Sequence, residues 1–234
     1  RPIGFYDVNG TILPGGSYTG TLDARLPPAT PGTYRIIVRT DIFDDIVEAP
    51  TQNNTTTSAS TLQVTVPELH LGVAVDTTLS TGQDRLFQVT VAQGQSLQVD
   101  LTSADSTAAN TLFLRYGALP TGATYDAAYQ GAVQANQIAV IPSTTAGTYY
   151  VLVHGQSEPG PNSRVTLLAH VLPFGITDVV QDQGGDSRYV TTVISGAQFD
   201  AQAVVKLVRP GFAEYEPVSY KVMDPTRIIA VFDL

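Results

Sequence analysis

Asp41-Ile42-Phe43-Asp44-Asp45-Ile46-Val47-Glu48 places four carboxylates within eight residues. Calcium is held by several oxygen ligands on a flexible loop, often with amide carbonyls added. Asp41, Asp44, Asp45 and Glu48 are therefore candidate calcium ligands, and Asn53 and Asn54 could add oxygens. The run lacks the alternating Asp-x-Asp-x-Asp-Gly order of a dedicated calcium loop. The other reading is a solvated turn in which Asp and Asn side chains accept from backbone amides. No other metal or cofactor is expected.

Further chemistry is sparse. The three histidines, His70, His154 and His170, stand far apart, and none has a partner at a ligand spacing such as His-x-x-x-His. A serine nucleophile needs an activating base and an oxyanion donor. Gly-x-Ser-x-Gly does not occur, and His154-Gly155-Gln156-Ser157 reads as a loop with no strand-to-helix elbow after it. Nothing in the sequence pairs two carboxylates across a cleft, as glycoside hydrolysis requires. There is no phosphate loop and no dinucleotide fingerprint. Catalytic residues are thus not expected. Asn53 and Asn54 each open an Asn-x-Thr triplet, a glycan acceptor in a suitable secretory system and otherwise a polar loop. Tyr116, Tyr125 and Tyr129 could stack on sugars, although scattered tyrosines on a sheet protein are more often core edge.

The elements that would carry these residues are strands. Tyr34-Arg35-Ile36-Ile37-Val38, Leu62-Gln63-Val64-Thr65-Val66, Phe87-Gln88-Val89-Thr90-Val91 and Leu97-Gln98-Val99-Asp100-Leu101 are short apolar-rich runs, most of them alternating polar with apolar. Leu112-Phe113-Leu114-Arg115-Tyr116 and Ala203-Val204-Val205-Lys206-Leu207 continue the series. Period-two alternation buries one face of a strand. Short strands at even spacing, with Gly, Pro, Asn and Asp between them, predict tandem β-sandwiches with almost no helix. A local pattern recurs at Pro31-Gly32-Thr33-Tyr34 and Ala146-Gly147-Thr148-Tyr149. In each, the Tyr opens a strand, and its hydroxyl can return to a backbone group at a sandwich corner. Tyr34 and Tyr149 are therefore read as architectural.

Composition narrows the setting. Only 14% of the 234 residues are charged, the net charge is -9, and there is no cysteine. Neutral Thr, Ser, Gln and Asn solvate the surface instead, which suits an extracellular or cell-surface protein. Lys206 and Lys221 are the only lysines, so no basic patch exists for nucleic acid or for anionic membranes. No run approaches the ~20 apolar residues of a membrane helix. Residue 1 is Arg and no signal peptide opens the chain, so the sequence reads as a mature product or an internal piece.

Prolines at Pro67 and Pro173 suggest three segments, 1–70, 71–173 and 174–234. Pro14-Gly15-Gly16-Ser17-Tyr18, Gly32-Thr33-Tyr34, Asp41, Val47-Glu48 and Asn53-Asn54 resemble the later part of a CARDB domain, an adhesion-related Ig-like module of bacteria. Asp84-Arg85-Leu86-Phe87-Gln88-Val89, Gly94-Gln95-Ser96-Leu97, Asn110-Thr111-Leu112-Phe113-Leu114-Arg115-Tyr116-Gly117, Leu119-Pro120-Thr121, Tyr125-Asp126 and Gly147-Thr148-Tyr149-Tyr150-Val151 resemble the bacterial pre-peptidase C-terminal (PPC) domain, a jelly-roll-like sandwich. That family often carries Asp where Asn110 stands, so the resemblance does not bring a metal site to this position. Ile176-Thr177-Asp178-Val179, Gly184-Gly185 and Val193-Ile194-Ser195-Gly196-Ala197-Gln198-Phe199 resemble the first half of an IPT/TIG Ig-like domain. The three resemblances together imply a non-catalytic segment of a secreted or surface multi-domain bacterial protein. It would serve as a structural, adhesive or spacer region or as a fibre subunit. The alternative is a carbohydrate-binding or targeting accessory region of a secreted hydrolase. The expected partners are neighbouring β-domains of the same polypeptide or adjacent copies, either of which would complete the outer modules, and glycans.

Overall fold

The runs Phe87–Val91, Leu97–Leu101 and Leu112–Tyr116 lie in strands. The expected strand Ala203–Leu207 instead begins only at Leu207, the run 34–38 is broken at Arg35 and Ile36, and Leu62–Val66 is strand only to Val64. The computed structural model describes residues 2–13, 15–24, 26–43, 45–46, 53–129, 131–184 and 189–233. The described residues are all-β, with no α-helix. The chain divides into two compact units, Arg1–Val66 and Pro67–Leu234.

The first unit has two short antiparallel ladders. β1 (Gly32–Tyr34) pairs with β4 (Leu62–Val64), and β2 (Ile37–Arg39) with β3 (Thr55–Thr57). The Arg35 guanidinium donates to the Ser58 and Ala59 carbonyls at 2.9 and 3.3 Å, bracing the second ladder. Tyr34 Oη donates to the Thr30 carbonyl at 2.8 Å, the return expected of it, while its ring stays partly exposed. Ile37, Val38 and Phe43 face solvent. The described residues before β1 form no strand, and the Tyr6 and Tyr18 rings stack there at 6.3 Å. Three-residue ladders with so little apolar burial contribute little stability.

The second unit opens with a two-layer sandwich. One sheet has the order β10 (Gln137–Ile141), β7 (Leu97–Ser103), β12 (Ser163–Val171), β5 (Ala74–Leu79). The other has the order β6 (Asp84–Val91), β11 (Gly147–Ser157), β8 (Ala109–Tyr116), β9 (Ala127–Ala128). Every second residue is buried: Leu97, Val99 and Leu101 on β7, and Phe87, Val89 and Val91 on β6. Val151 lies opposite both Phe87 and Leu114, and Leu167 opposite Leu101. Tyr149 is buried at the corner, where its Oη accepts from the Thr145 N–H at 3.0 Å. Gly147 beside it has φ +136°, and a Cβ there would press on the Tyr116 ring. Glycine at this step thus serves both the backbone and the ring.

His154-Gly155-Gln156-Ser157, expected as a loop, is instead the end of β11. A bulge between Gly155 and Ser157 lets the strand run on beside β8. The lead-in to the sandwich is also ordered. Leu69 donates to the Gln88 carbonyl at 2.7 Å and Gln88 to the Pro67 carbonyl at 3.0 Å, forming a short parallel strap on the β6 edge. Leu69 is fully inside the sandwich core.

A second hydrophobic cluster follows in the same unit. β13 (Gly175–Val180), β14 (Tyr189–Ala197), β18 (Arg227–Asp233) and β17 (Ser219–Asp224) form one sheet in that order. A hairpin of β15 (Leu207–Arg209) and β16 (Ala213–Tyr215) stands beside it in sequence. Ile194, Phe199, Val205, Ile228, Ala230 and Phe232 make the cluster. Gly196 belongs to the Gly-x-x-Phe step, and a Cβ there would collide with the Gly175 carbonyl and the Phe199 ring. Most of β13 is exposed on its side chains.

Burial therefore differs sharply between the two units. Leu167→Ala is expected to cost about 2–5 kcal/mol, the range for fully buried leucine. Ile37→Ala, at an exposed ladder position, is expected to cost under about 0.5 kcal/mol. Urea unfolding followed separately for each unit checks both values.

Candidate functional site

The acidic run sits in the connection between β2 and β3. Asp41 takes the left-handed backbone region at φ 44°, which Asp tolerates better than most residues. That turn brings its carboxylate over the following backbone. Oδ1 accepts from the Asp45 N–H at 2.8 Å and Oδ2 from the Ile46 N–H at 3.3 Å. The Thr40 N–H donates to the Asn54 carbonyl at 2.8 Å and closes the connection. The Asp41 carboxylate is thus engaged with its own turn, in the manner of a capped loop. Asp44 and Glu48 lie outside the described residues. Among the described residues, no three His, Cys, Asp or Glu gather into a group that could hold a metal ion.

The histidines are scattered over the second unit. His154 lies directly opposite Asp84, and Nδ1 meets Asp84 Oδ1 at 2.8 Å across the strands. His170 Nδ1 stands 3.3 Å from Asp100 Oδ2, an ion-pair separation without hydrogen-bond alignment. Gln98 donates to the other oxygen of Asp100 at 2.7 Å. His70 is exposed in the turn before β5. Each pair is a cross-strand contact of the kind that supports a sheet. Lys206 lies 3.1 Å from both Glu214 and Glu216, and Glu214 first, then Glu216, raises its ammonium above the usual lysine range.

The tyrosines do not form one platform. Tyr116 packs on Tyr149 at 5.2 Å, and its Oη donates to the Ala146 carbonyl at 3.0 Å. Tyr129 Oη accepts from the Gln134 amide at 2.7 Å. Tyr116 and Tyr125 are both exposed, and the Tyr125 ring is tilted on Phe113 at 5.2 Å.

Asn110 is fully buried at the second residue of β8. Its Nδ2 donates to the Ala135 carbonyl at 3.0 Å, and its backbone N–H to the Gln134 carbonyl at 3.0 Å. The side chain thereby pins the loop before β10, which only a donor can do. Its Oδ1 is buried without a protein partner.

Ser96 and Gln198, which the sequence singled out only as members of longer motif runs, hold the joint between the sandwich and the segment after it. Ser96, fully buried, donates through Oγ to the Pro142 carbonyl at 2.8 Å. The same Oγ accepts from the Gln198 N–H at 3.3 Å. The Gln198 amide donates to the Leu172 carbonyl at 2.7 Å, and Leu172 N–H to the Ser96 carbonyl at 2.9 Å. Gln198 has φ 57°, an uncommon conformation for a non-glycine residue. Phe174 and Phe199 meet edge to face at 6.3 Å beside it.

Residues 83–155 match the family model of the bacterial pre-peptidase C-terminal domain. This stretch is well under half of the chain. Among solved structures, the chain is similar to the pre-peptidase C-terminal domain of a collagenase from Bacillus anthracis, at 14% identity and a TM-score of 0.36. That similarity covers 45% of this chain and 94% of the other. Comparison with curated protein sequences gives no match.

Two outcomes are expected from these contacts. Calcium is expected to shift the melting of the first unit by no more than about 2 °C, and Asp41→Ala to cost about 1 kcal/mol through the two lost amide bonds. A rise of several degrees that Asp44→Asn abolishes would instead mark a metal site.

Asn110→Asp is expected to cost about 2–5 kcal/mol at neutral pH, since it buries a carboxylate against a carbonyl. Burial would raise that carboxyl above its unfolded value, so the folded state would hold the proton more tightly. The penalty is therefore smallest in acid and grows as pH rises through the unfolded and then the folded titration. Melting curves from acid to neutral pH check the direction.

Proposed function

We propose that the chain is a spacer segment of a secreted or cell-surface protein, built to hold neighbouring modules at a set distance and direction. The observation that carries this reading is the joint at Ser96, Leu172 and Gln198. A fully buried hydroxyl that bonds on both sides of a junction holds one module's direction on the next. The chemistry-bearing residues support it. The Asp41 carboxylate caps its own turn, His154 pairs across strands, and the Tyr149 hydroxyl braces a corner. The match of residues 83–155 to a pre-peptidase C-terminal domain favours a non-catalytic accessory role in a secreted protein. Residues 1–70 would then be the CARDB-like module and 174–234 the IPT/TIG-like module, with neighbouring domains or adjacent copies as partners.

The second reading is a glycan-binding accessory region. One observation favours it: Tyr125 presents an exposed ring backed by Phe113. An aromatic ring fixed from behind is the kind of surface on which a sugar can stack.

Residual dipolar couplings on the full chain test the spacer reading. Residues 67–172 and 175–233 are expected to share one alignment tensor, and Gln198→Ala is expected to split it. Separate tensors in the parent protein would contradict a fixed joint. A glycan array is expected to show no specific retention, and retention lost in Tyr125→Ala would decide for the second reading.

A further inference from the structure

The lead-in and lead-out of the sandwich meet at one pole. Ala74, at the start of β5, lies opposite Leu168, near the end of β12. Gly72 N–H donates to the Ala169 carbonyl at 2.8 Å, which places the preceding turn beside the same end. The lead-out follows at Leu172, just past Val171. The strap Pro67–Leu69 breaks this symmetry. It runs back along β6, held by the Leu69 and Gln88 backbone bonds and by the buried Leu69 side chain.

We propose that the sandwich is a force-releasable link in which the strap takes tension first and the β5–β12 ladder then opens pair by pair. In an antiparallel ladder the hydrogen bonds lie perpendicular to the strands. Tension that pulls Ala74 and Leu172 apart acts at the same end of both strands, along those bonds. Leu168↔Ala74 therefore breaks first and Ser163↔Leu79 last, each pair bearing the load in turn. Pulling the two strands from opposite ends would instead load every bond of the ladder together. β5 is the edge strand of its sheet, so only one ladder opposes its removal. Its loss uncovers Leu79, which lies in the core, and the sandwich opens behind it. The strap stands between the incoming chain and this weak geometry, and it is held by two backbone bonds and one leucine. Each residue released lengthens the tether by about 3.3 Å. This deepens the spacer reading: the module sets a distance under light load and yields length under heavy load.

The chain has no cysteine, so paired cysteines give unique handles for single-molecule pulling on the full protein. Thr65, Leu71, Thr81 and Pro173 are all exposed. Three pairs share Pro173→Cys and differ in the other handle. Leu71→Cys bypasses the strap, Thr65→Cys includes it, and Thr81→Cys loads β5 and β12 from opposite ends. Ser80→Cys, directly after β5, loads the same end of that strand if Thr81→Cys lowers the melting temperature. The Leu71 pair is expected to rupture at about half the force of the Thr81 pair or less, because its bonds break one at a time. The Thr65 pair is expected to fall between them. Rupture of the Leu71 pair at or above the force of the Thr81 pair would overturn the zipper. Equal forces for the Thr65 and Leu71 pairs would overturn the strap. Specific glycan binding or turnover by the unpulled chain would end the spacer reading and leave this order of forces standing, so the two failures are separable.

Discussion

The inward rows of the two central sheets can be covered only by each other. Leu97, Val99 and Leu101 on one sheet, and Val89, Leu112 and Val151 on the other, are all essentially without solvent contact. Each such side chain is worth roughly 1.5–3 kcal/mol when fully buried. Ordering the backbone costs about 1–2 kcal/mol per residue, so segments without comparable burial gain little from folding. Because the side-chain period is two, a one-residue slip would turn the whole apolar set outward. Burial thus sets the register, and the register places every polar contact described above. His154 meets Asp84, and Asn110 reaches the Ala135 carbonyl, because the strands carrying them cannot slide.

The same constraint explains where polar groups are admitted to the interior. Ser96 and Thr144 are buried at the pole where β7 begins. The Thr144 hydroxyl donates to the Ala92 carbonyl at 2.6 Å and accepts from the Gln95 N–H at 3.0 Å. Ser96 performs a comparable service for Pro142 and Gln198. Buried groups with partners on both sides hold loops that have no ladder to join. The pole where the lead-in turn and the lead-out of the sandwich meet is therefore stiffened by side chains. This is where a spacer would need stiffness.

Much of the sandwich was legible because alternation is a local property. The runs Phe87–Val91, Leu97–Leu101 and Leu112–Tyr116 became strands with the expected inward residues. The Gly-Thr-Tyr repeat pointed to Tyr149 as a corner residue, and its hydroxyl bonds four residues back. What stayed hidden depends on distant partners. Leu69, two residues after Pro67, fell in the first segment, 1–70, but its burial is decided by β6, some twenty residues on. The Ser96–Gln198 contact spans 102 positions, and neither residue type marks a joint. His154–Ser157 looked like a loop because Gly155 interrupts the pattern, whereas a bulge absorbs the interruption. In the first unit, apolar residues such as Phe5, Ile12 and Leu22 stand exposed in segments without strands, so composition alone did not bring them together. In the acidic run, the described Asp41 accepts from two following backbone amides, whereas Asp44 and Glu48 lie outside the described residues.

Native-state hydrogen exchange on the full chain tests the central claim most directly, since it reads the free energy of opening amide by amide. The account predicts the slowest exchange at the inner ladders, around Val151, Leu167 and Val99, with Leu69 and Gln88 protected beyond the β1 and β2 ladders. It also predicts that β5 amides open before those of β11. Protection at Gly32–Tyr34 and Ile37–Arg39 equal to that of β11 would contradict it, as would unprotected amides at Leu69 and Gln88.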